Sequence, residues 1–427
     1  MPNSSPLLFA VLVAEATNIG LSAMAQSSGI ALHELERVYD WYLREETMRA
    51  AISKLISYHR ALPLTTKFGD GTTSSSDGIR FGMAASSLHA RHLPRYFGTR
   101  RGVTLYNHTT NQGSQPWIDV VNCLVRESTY VLDGLLYQDA PPIKEHYVDT
   151  GGFTELLFGL FMLLGFRFAP RLRDLSDQTF YRPRKQTDYS VLTPVLKKDI
   201  REDLIVNHWD DMNRLAASLK DGLVRPSLVV SKLQAMQRQN PLQQAIQELG
   251  RLGKTGHILY YVDDPPFRRR VLVGLNKGES LHALARDISF GHQGRFTDRS
   301  YEAQLNRASA LSLVINAIVV WNTRHFDRAQ AKLLEQGELV DESVWQHLSP
   351  LAWKHINLVG SYHFSDVHLQ GEFRPLRELE SRRERGGTPN SSPLIDQEVG
   401  EKGSYGEREN PEEEPVVQLS LLEDEGG

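Results

Sequence analysis

Three acidic residues lie where the chain could present carboxylates to a shared site. In chain order, Asp77 follows a run of Thr and Ser in GDGTTSSSDGIRF, Asp149 lies in HYVDTGG and Glu279 lies in NKGES. Carboxylate oxygens are preferred ligands of Mg²⁺, and two such ions roughly 3.5–4 Å apart can activate an attacking oxygen and stabilise a leaving oxygen. Three carboxylates from distant positions in the chain could bridge and flank such a pair of ions, which is what phosphodiester hydrolysis and strand transfer need.

Each acid also has an ordinary structural explanation. Asp77 precedes a glycine, and Asp-Gly pairs are typical of tight hairpin turns. Asp149 could cap the helix that follows it, although a carboxylate at the end of a strand beside two glycines is also where α/β folds bind ligands. Glu279 could be a first-turn residue that the helix dipole favours. Local sequence leaves these alternatives open.

The elements that must position the acids follow from the hydrophobic pattern. Strands are predicted at 72–84, 102–108 and 117–125, a helix at 125–138, a strand at 145–149, a helix at 154–164 and a strand at 166–172. This order is that of an RNase H-like domain, which presents carboxylates of its first and fourth strands side by side. The predicted fold class is α/β: an RNase H-like mixed sheet with a helical insertion and mostly helical N- and C-terminal flanks.

The same pattern predicts five segments along the chain. They are a helical lead-in at 1–66, the first part of the catalytic core at 67–175, a mostly helical insertion at 176–265, the Glu-bearing and C-terminal helices at 266–365, and a disordered, acidic-ended tail at 366–427.

The helix that carries Glu279 has a clear apolar face. Its members recur at i, i+3, i+4 and i+7: Leu281, Leu284, Ala285 and Ile288. At 100° per residue, Glu279, His282 and Arg286 fall on the polar flank. His282 and His146 are both near the acids in sequence, and we predict that they are hydrogen-bonding neighbours rather than metal ligands.

Composition narrows the class of protein. The net charge of −4 combines −9 in residues 391–427 with +5 in the remainder, which is compatible with a polyanionic partner. A single cysteine, Cys123, excludes an internal disulfide framework and fits a reducing cytoplasm. The longest apolar run, 156–166, is shorter than the ~20 residues that a membrane span needs, so no membrane partner is expected.

The three acidic stretches, in this order, resemble the catalytic core of the Tn3 family of replicative, DDE-type bacterial transposases. The resemblance covers nearly all of 6–360, and RGVTLYNHTTNQ, RLRDL and WNT also match family segments. It implies a DNA transposase in which Asp77, Asp149 and Glu279 bind Mg²⁺, with Mn²⁺ as a substitute. Such an enzyme cleaves strands at the transposon's 3′ ends and transfers the 3′-hydroxyl into target DNA. The implied partners are inverted-repeat ends, target DNA and a second copy of the chain as a dimer on DNA, in the bacterial cytoplasm at the nucleoid.

Family members are usually much longer and carry N-terminal arms that recognise the inverted repeats, so we predict an N-terminally truncated form. One alternative is a non-catalytic fragment that binds DNA or full-length transposase as a regulator or remnant. Another is a hydrolase of a different class, such as a glycosidase with an Asp/Glu pair.

Basic residues that flank the acids are predicted to bind DNA phosphates, which would give salt-dependent affinity without sequence preference. The group between the first two predicted strands is Arg91, Arg95, Arg100 and Arg101. The group at the start of the predicted insertion is Arg182, Arg184 and Lys185, and the Glu279 helix carries Arg286.

Overall fold

A computed structural model describes residues 5–87, 89–136, 143–236 and 240–364. All of them fall within one compact unit, Met1–Arg374. The predicted boundaries inside that unit stay predictions, and the predicted disordered tail lies outside the described residues.

The helices, in chain order, are α1 (Ser5–Ala16), α2 (Gly20–Ser28), α3 (Leu32–Tyr42), α4 (Glu45–Ala61), α5 (Thr65–Phe68), α6 (Pro94–Phe97), α7 (Val131–Leu136), α8 (Glu155–Leu164), α9 (Glu202–Asn207), α10 (Trp209–Lys220), α11 (Pro226–Ala235), α12 (Pro241–Asp263), α13 (Pro265–Ile288) and α14 (Tyr301–Glu335). The strands are β1 (Thr73–Met83), β2 (Arg91–His92), β3 (Arg101–Thr110), β4 (Trp117–Val121), β5 (Glu145–Tyr147), β6 (Arg167–Phe168), β7 (Phe180–Arg182), β8 (Leu196–Asp199) and β9 (Arg295–Phe296).

The main sheet is mixed and is built around β1. Strands β2, β3, β1, β5 and β6 follow one another in that order, while β4 also pairs with β3 and β9 also pairs with β1. Pairing is antiparallel between β1 and β3 and parallel between β1 and both β5 and β9. Strand β5 pairs with the first residues of β1 and β9 with its last, so the middle of that edge of β1 is left without a neighbouring strand among the described residues.

Helices cover both faces of this sheet. Side chains of successive strand residues point to opposite faces, so each strand can contribute to a core on either side. On one face Ile79 and Phe81 of β1 join a core with α1, α13 and α14. On the other face Tyr106 of β3 and Trp117 of β4 join a core with α8, α10 and α12. The predicted α/β class is confirmed as a mixed α/β structure.

Several predicted elements differ in extent. The predicted helix 125–138 begins with a 3₁₀ turn at Glu127–Thr129 and continues as α7, and the last predicted strand of the core is reduced to β6. Strands β2 and β9 and the small β7–β8 sheet were not predicted, because two- to four-residue strands depend on their partners rather than on a repeating pattern.

Helix α14 is long and apolar enough to cross a bilayer by length and composition, so the expectation that no segment reaches that length is wrong for this helix. Its apolar window is 72% buried inside the protein, as in the core helix of a globular domain.

Candidate active site

Asp77 lies inside β1 rather than in a turn. Its Cα pairs with that of Asn107 on β3, and its Oδ1 accepts a hydrogen bond from the Gly78 N–H at 2.8 Å. The hairpin explanation therefore does not describe Asp77. The turn belongs to the other acid of the motif: Asp70 accepts from the Thr72 N–H at 2.9 Å, beside Gly71 with φ of 76°.

Asp149 is brought to Asp77 by the register of β1 and β5. The parallel pairing joins Thr73 to Glu145 and Ser75 to Tyr147. Continuing this register past the last pair makes Asp77 and Asp149 equivalent positions on the two chain segments. They are therefore at the same level, just beyond the end of the ladder, where the strands open into a cleft.

Asp149 does not cap the helix that follows it. Its side chain makes no capping hydrogen bond, whereas Thr154 accepts from the Leu157 N–H and caps α8. The Asp149 carboxylate is 61% exposed and lies 3.8 Å from Nη1 of Arg171. The capping explanation is therefore wrong for Asp149, and its carboxylate remains accessible to a ligand.

Glu279 reaches Asp77 because α13 packs closely against β1. Gly274 and Gly278 lie at this contact, where a Cβ on Gly274 would overlap the Tyr147 ring and one on Gly278 would lie 3.4 Å from Ser75 Oγ. The Ser75 hydroxyl donates to the Gly274 carbonyl at 3.1 Å. The small hydroxyl residues before Asp77 thus admit a helix at close range.

One carboxylate oxygen each of Asp77 and Glu279, with one ring nitrogen of His282, lie within 4.8 Å of one another. Asp149 lies outside this group of ligand atoms. Two carboxylates at this separation suit a hard divalent cation, which prefers oxygen ligands.

His282 shares the flank of Glu279 as predicted, but it is only 2% exposed, so the flank is buried at this residue. The helix packs this flank against β3, where the Asn107 amide donates to His282 Nε2 at 3.0 Å and to the Asp77 carbonyl at 3.3 Å. Because an amide NH₂ can only donate, the ring proton lies on Nδ1, 3.9 Å from Asp77 Oδ2. Burial lowers the pKa of His282 to about 4, so the ring is neutral at pH 7.

His146 is fully buried beneath the same strand. Its Nδ1 and Nε2 pair with the hydroxyls of Ser74 and Ser76 at 2.8 and 2.7 Å. Both ring nitrogens are thus engaged within the protein, which agrees with the prediction of a hydrogen-bonding neighbour.

Asp77 and Asp149 line one cleft of about 780 Å³ together with Arg80, Arg126 and Glu127. Burial raises the pKa of Asp77, and Asp149 raises it further, while Arg80 opposes the shift. Burial and the adjacent Asp77 raise the pKa of Glu127 to about 7.

Sequence reasoning missed Arg80 and Glu127. Arg80 is three residues from Asp77 inside an apolar run, and Glu127 follows a strand in a segment without any distinctive pattern. Only the proximity of Arg80 to Asp77 in the sequence could have indicated a role.

The predicted DNA-binding residues fall in different places. Arg101 pairs with Met83 at the far end of β1, which puts the Arg101 backbone ~20 Å along the strand from Asp77. Arg286 is exposed on α13, two turns and ~10 Å beyond Glu279.

The insertion group is partly neutralised by acids. Arg182 lies 3.6 Å from Asp199, and Arg184 lies 3.7 Å from Glu202. Lys185 is exposed.

Comparison with known proteins gives a consistent result. A family model described as the Tn3 transposase DDE domain matches residues 2–362. The chain is 43% identical over 375 residues to the transposase for transposon Tn1546 of Enterococcus faecium, covering 87% of this chain and 38% of that protein. It is 44% identical to the transposase for transposon Tn501 of Pseudomonas aeruginosa, with the same coverage. Identity to the transposase for transposon gamma-delta of Escherichia coli strain K12 is 40%, covering 86% of this chain and 37% of that protein. The chain thus spans less than half the length of these relatives.

Proposed function

Because the chain belongs to the Tn3 transposase DDE family, we propose that it carries the catalytic centre of a DNA transposase, with Asp77, Asp149 and Glu279 as the catalytic residues. The observation that carries this proposal is the convergence of three elements. The register of β1 and β5 aligns Asp77 with Asp149, and α13 brings Glu279 within 4.8 Å of Asp77.

The proposed fold is RNase H-like. The strand order β4–β3–β1–β5–β6, with β3 antiparallel and β5 parallel to β1, supports this finer assignment. In such a sheet the carboxyl end of the fourth long strand lies beside the first strand. The equivalent strands here are β5, which leads to Asp149, and β1, which carries Asp77.

The residues present fit divalent cations. Asp77 and Glu279, whose carboxylate oxygens lie within 4.8 Å of one another, would hold the ions together with Asp149, which lines the same cleft as Asp77. When bound, Mg²⁺ or Mn²⁺ would supply a lower pKa for the attacking hydroxyl and stabilisation of the leaving oxygen. His282, which is hydrogen-bonded to Asn107, places its Nδ1 3.9 Å from Asp77 Oδ2.

The proposed chemistry comprises two displacements at phosphorus. In the first, a water oxygen bonds to the phosphorus at the transposon end and the bond to the 3′-bridging oxygen breaks, leaving a 3′-hydroxyl and a 5′-phosphate. In the second, that 3′-hydroxyl oxygen bonds to a target phosphorus and the target's own 3′-oxygen leaves. The proteins with which the chain aligns are named as transposases for transposons, which supports transposon ends and target DNA as the substrates.

Arrangement on DNA follows from the same proposal. The exposed Arg286 and the basic group near β2 would contact the backbone of DNA that crosses the cleft. Two DNA ends must be joined in one event, so we propose that a pair of chains assembles on DNA. The proposed location is the bacterial cytoplasm, in association with the nucleoid.

The test is metal-dependent nicking and strand transfer by the 427-residue chain. Substrates are a duplex that carries an inverted-repeat end and the same duplex with its 3′-hydroxyl already exposed. Asp77→Asn should abolish both reactions in Mg²⁺ and Mn²⁺. Asp70→Asn is the matched control and should retain activity, because Asp70 belongs to the same motif but, among the described residues, bonds only within its turn and to Asn111.

Equal nicking by Asp77→Asn and the unmodified chain would remove Asp77 from the mechanism. DNA binding without nicking by the unmodified chain under either metal would favour a non-catalytic DNA-binding fragment instead.

A further inference from the structure

Arg80 stands in the cleft beside Asp77 and Asp149 and belongs to none of the basic groups that the sequence suggested. It lies on β1 three residues after Asp77, and its side chain is 30% exposed. Three acids line the cleft, Asp77, Glu127 and Asp149, and Arg80 and Arg126 are lining cations that can attract an anion to it.

The Arg80 guanidinium is held in place by two neighbours. Its Nη2 donates to Glu127 Oε1 at 2.7 Å, and its central carbon lies 4.7 Å from the centroid of the Tyr96 ring. Cation–π stacking and a charge-assisted hydrogen bond together restrict a side chain that would otherwise be flexible.

Glu127 is itself fixed by close packing. A Cβ on Gly78 would lie 2.5 Å from Glu127 Oε1, so the carboxylate occupies space that only glycine leaves free. The 3₁₀ turn that starts at Glu127 is closed by the Tyr130 N–H bonding to the Glu127 carbonyl at 2.9 Å. Gly78 on β1 therefore helps to set the position of Arg80, which lies two residues further along the same strand.

Most of the donors on Arg80 remain available. A guanidinium has five N–H groups in a planar fork. Among the residues that the structure describes, only Glu127 accepts a hydrogen bond from it. A fork with a fixed orientation and several spare donors matches the non-bridging oxygens of a phosphodiester.

We propose that Arg80 is a phosphate-binding residue of the cleft, which holds the non-bridging oxygens of a DNA phosphodiester next to Asp77, and that Glu127 and Tyr96 position it. This inference rests on the proposed function, because it takes DNA as the molecule that enters the cleft. It differs from a purely structural role, in which Arg80 would only neutralise Glu127 and Asp77.

The experiment measures binding of a 30-base-pair duplex in Mg²⁺ across a salt series, with every variant made in an Asp77→Asn background so that no strand is cut. Arg80→Gln should weaken binding about tenfold or more, as expected for a lost charged hydrogen bond. The slope of log K against log salt should fall by about 0.9, the value for one phosphate contact. Arg80→Lys should keep the slope but lose part of the affinity, because the charge remains and the fork is gone.

The positioning residues give a second readout. Tyr96→Phe keeps the ring under the guanidinium and should bind as the parent does, whereas Tyr96→Leu should weaken binding. Glu127→Gln should weaken binding without changing the salt slope, because Arg80 keeps its charge. Thermal melting of each variant identifies any that fail to fold. If Arg80→Gln fails to fold, the Arg80→Lys measurement tests the inference in its place.

An unchanged salt slope and affinity for folded Arg80→Gln would overturn this inference. Metal-dependent nicking by the unmodified chain would at the same time leave the proposed function intact. Conversely, a lost phosphate contact in a chain that never nicks DNA would keep Arg80 as a phosphate-binding residue and reject the catalytic proposal.

Discussion

Gly250→Ala tests how closely α12 packs against α8. Gly250 lies in the middle of α12, where helix propensity alone predicts that alanine would stabilise the protein by ~1 kcal/mol. In the structure α12 crosses α8 so closely that a Cβ on Gly250 would overlap the Glu155 carbonyl oxygen. Across the contact, a Cβ on Gly159 would overlap the Ile246 carbonyl. Backbone lies on both sides, so neither helix can yield by rotating a side chain.

The expected effect is therefore opposite in sign to the propensity. Overpacking a core costs roughly 1–3 kcal/mol, and contact with backbone belongs at the upper end of that range. After the propensity gain of ~1 kcal/mol, we expect Gly250→Ala to lower the free energy of unfolding by ~2 kcal/mol. Gly256 is the matched control: it lies on the same helix, where an added Cβ would have nothing within 4 Å. Gly256→Ala should raise the free energy of unfolding by ~1 kcal/mol.

Urea unfolding followed by far-ultraviolet circular dichroism measures both changes, because a shift of the midpoint at constant slope reports stability. The reasoning would be refuted if Gly250→Ala were as stable as Gly256→Ala. That result would mean that the two helices do not cross at van der Waals contact.

Three further predictions concern stability. Arg307 is buried and forms an ion pair with Asp298 at 2.5 Å, so Arg307→Met should lower the free energy of unfolding in urea by ~3–5 kcal/mol. Arg49 forms an exposed pair with Glu45 on the same helix, so Arg49→Met should lower it by less than ~1 kcal/mol. Equal losses would show that the buried pair does not stabilise the fold more than the exposed one. Burial lowers the pKa of His59 to about 4 from 6.5, so the folded state disfavours its protonation. The contribution of His59 to the free energy of unfolding is fully present above pH 6.5 and falls by ~3 kcal/mol towards pH 4. His59→Gln should flatten the plot of unfolding free energy against pH in this range. An unchanged plot would show that the folded protein does not hold His59 neutral. Thr154→Ala removes the cap of α8 and should cost ~1 kcal/mol; thermal melting checks it, and no change would mean that the cap contributes nothing.

The sequence was sufficient for features that depend on residue type and short-range periodicity. The apolar face of α13 was predicted correctly, and Leu281, Leu284, Ala285 and Ile288 are all buried. Helical spacing fixes which residues share a face whatever the helix packs against. The α/β class followed for the same reason, because each element's periodicity is a local property.

The shortest elements and the register were not predictable in this way. Asp77 and Asp149 are both visible in the sequence, yet their spacing has meaning only because β1 and β5 pair in a register that continues to these two positions. Strand register is set by which side chains are buried on each face, so it depends on all the layers at once.

The composition of the candidate site shows the same division. Residue types and local periodicity were enough to establish which acids are present, the order in which they occur and the flank of α13 that carries Glu279. The burial of His282 against Asn107, and the fixing of Arg80 between Glu127 and Tyr96, depend instead on packing between distant parts of the chain. These contacts arise because close packing, through glycines such as Gly78, lets groups from distant segments approach one another.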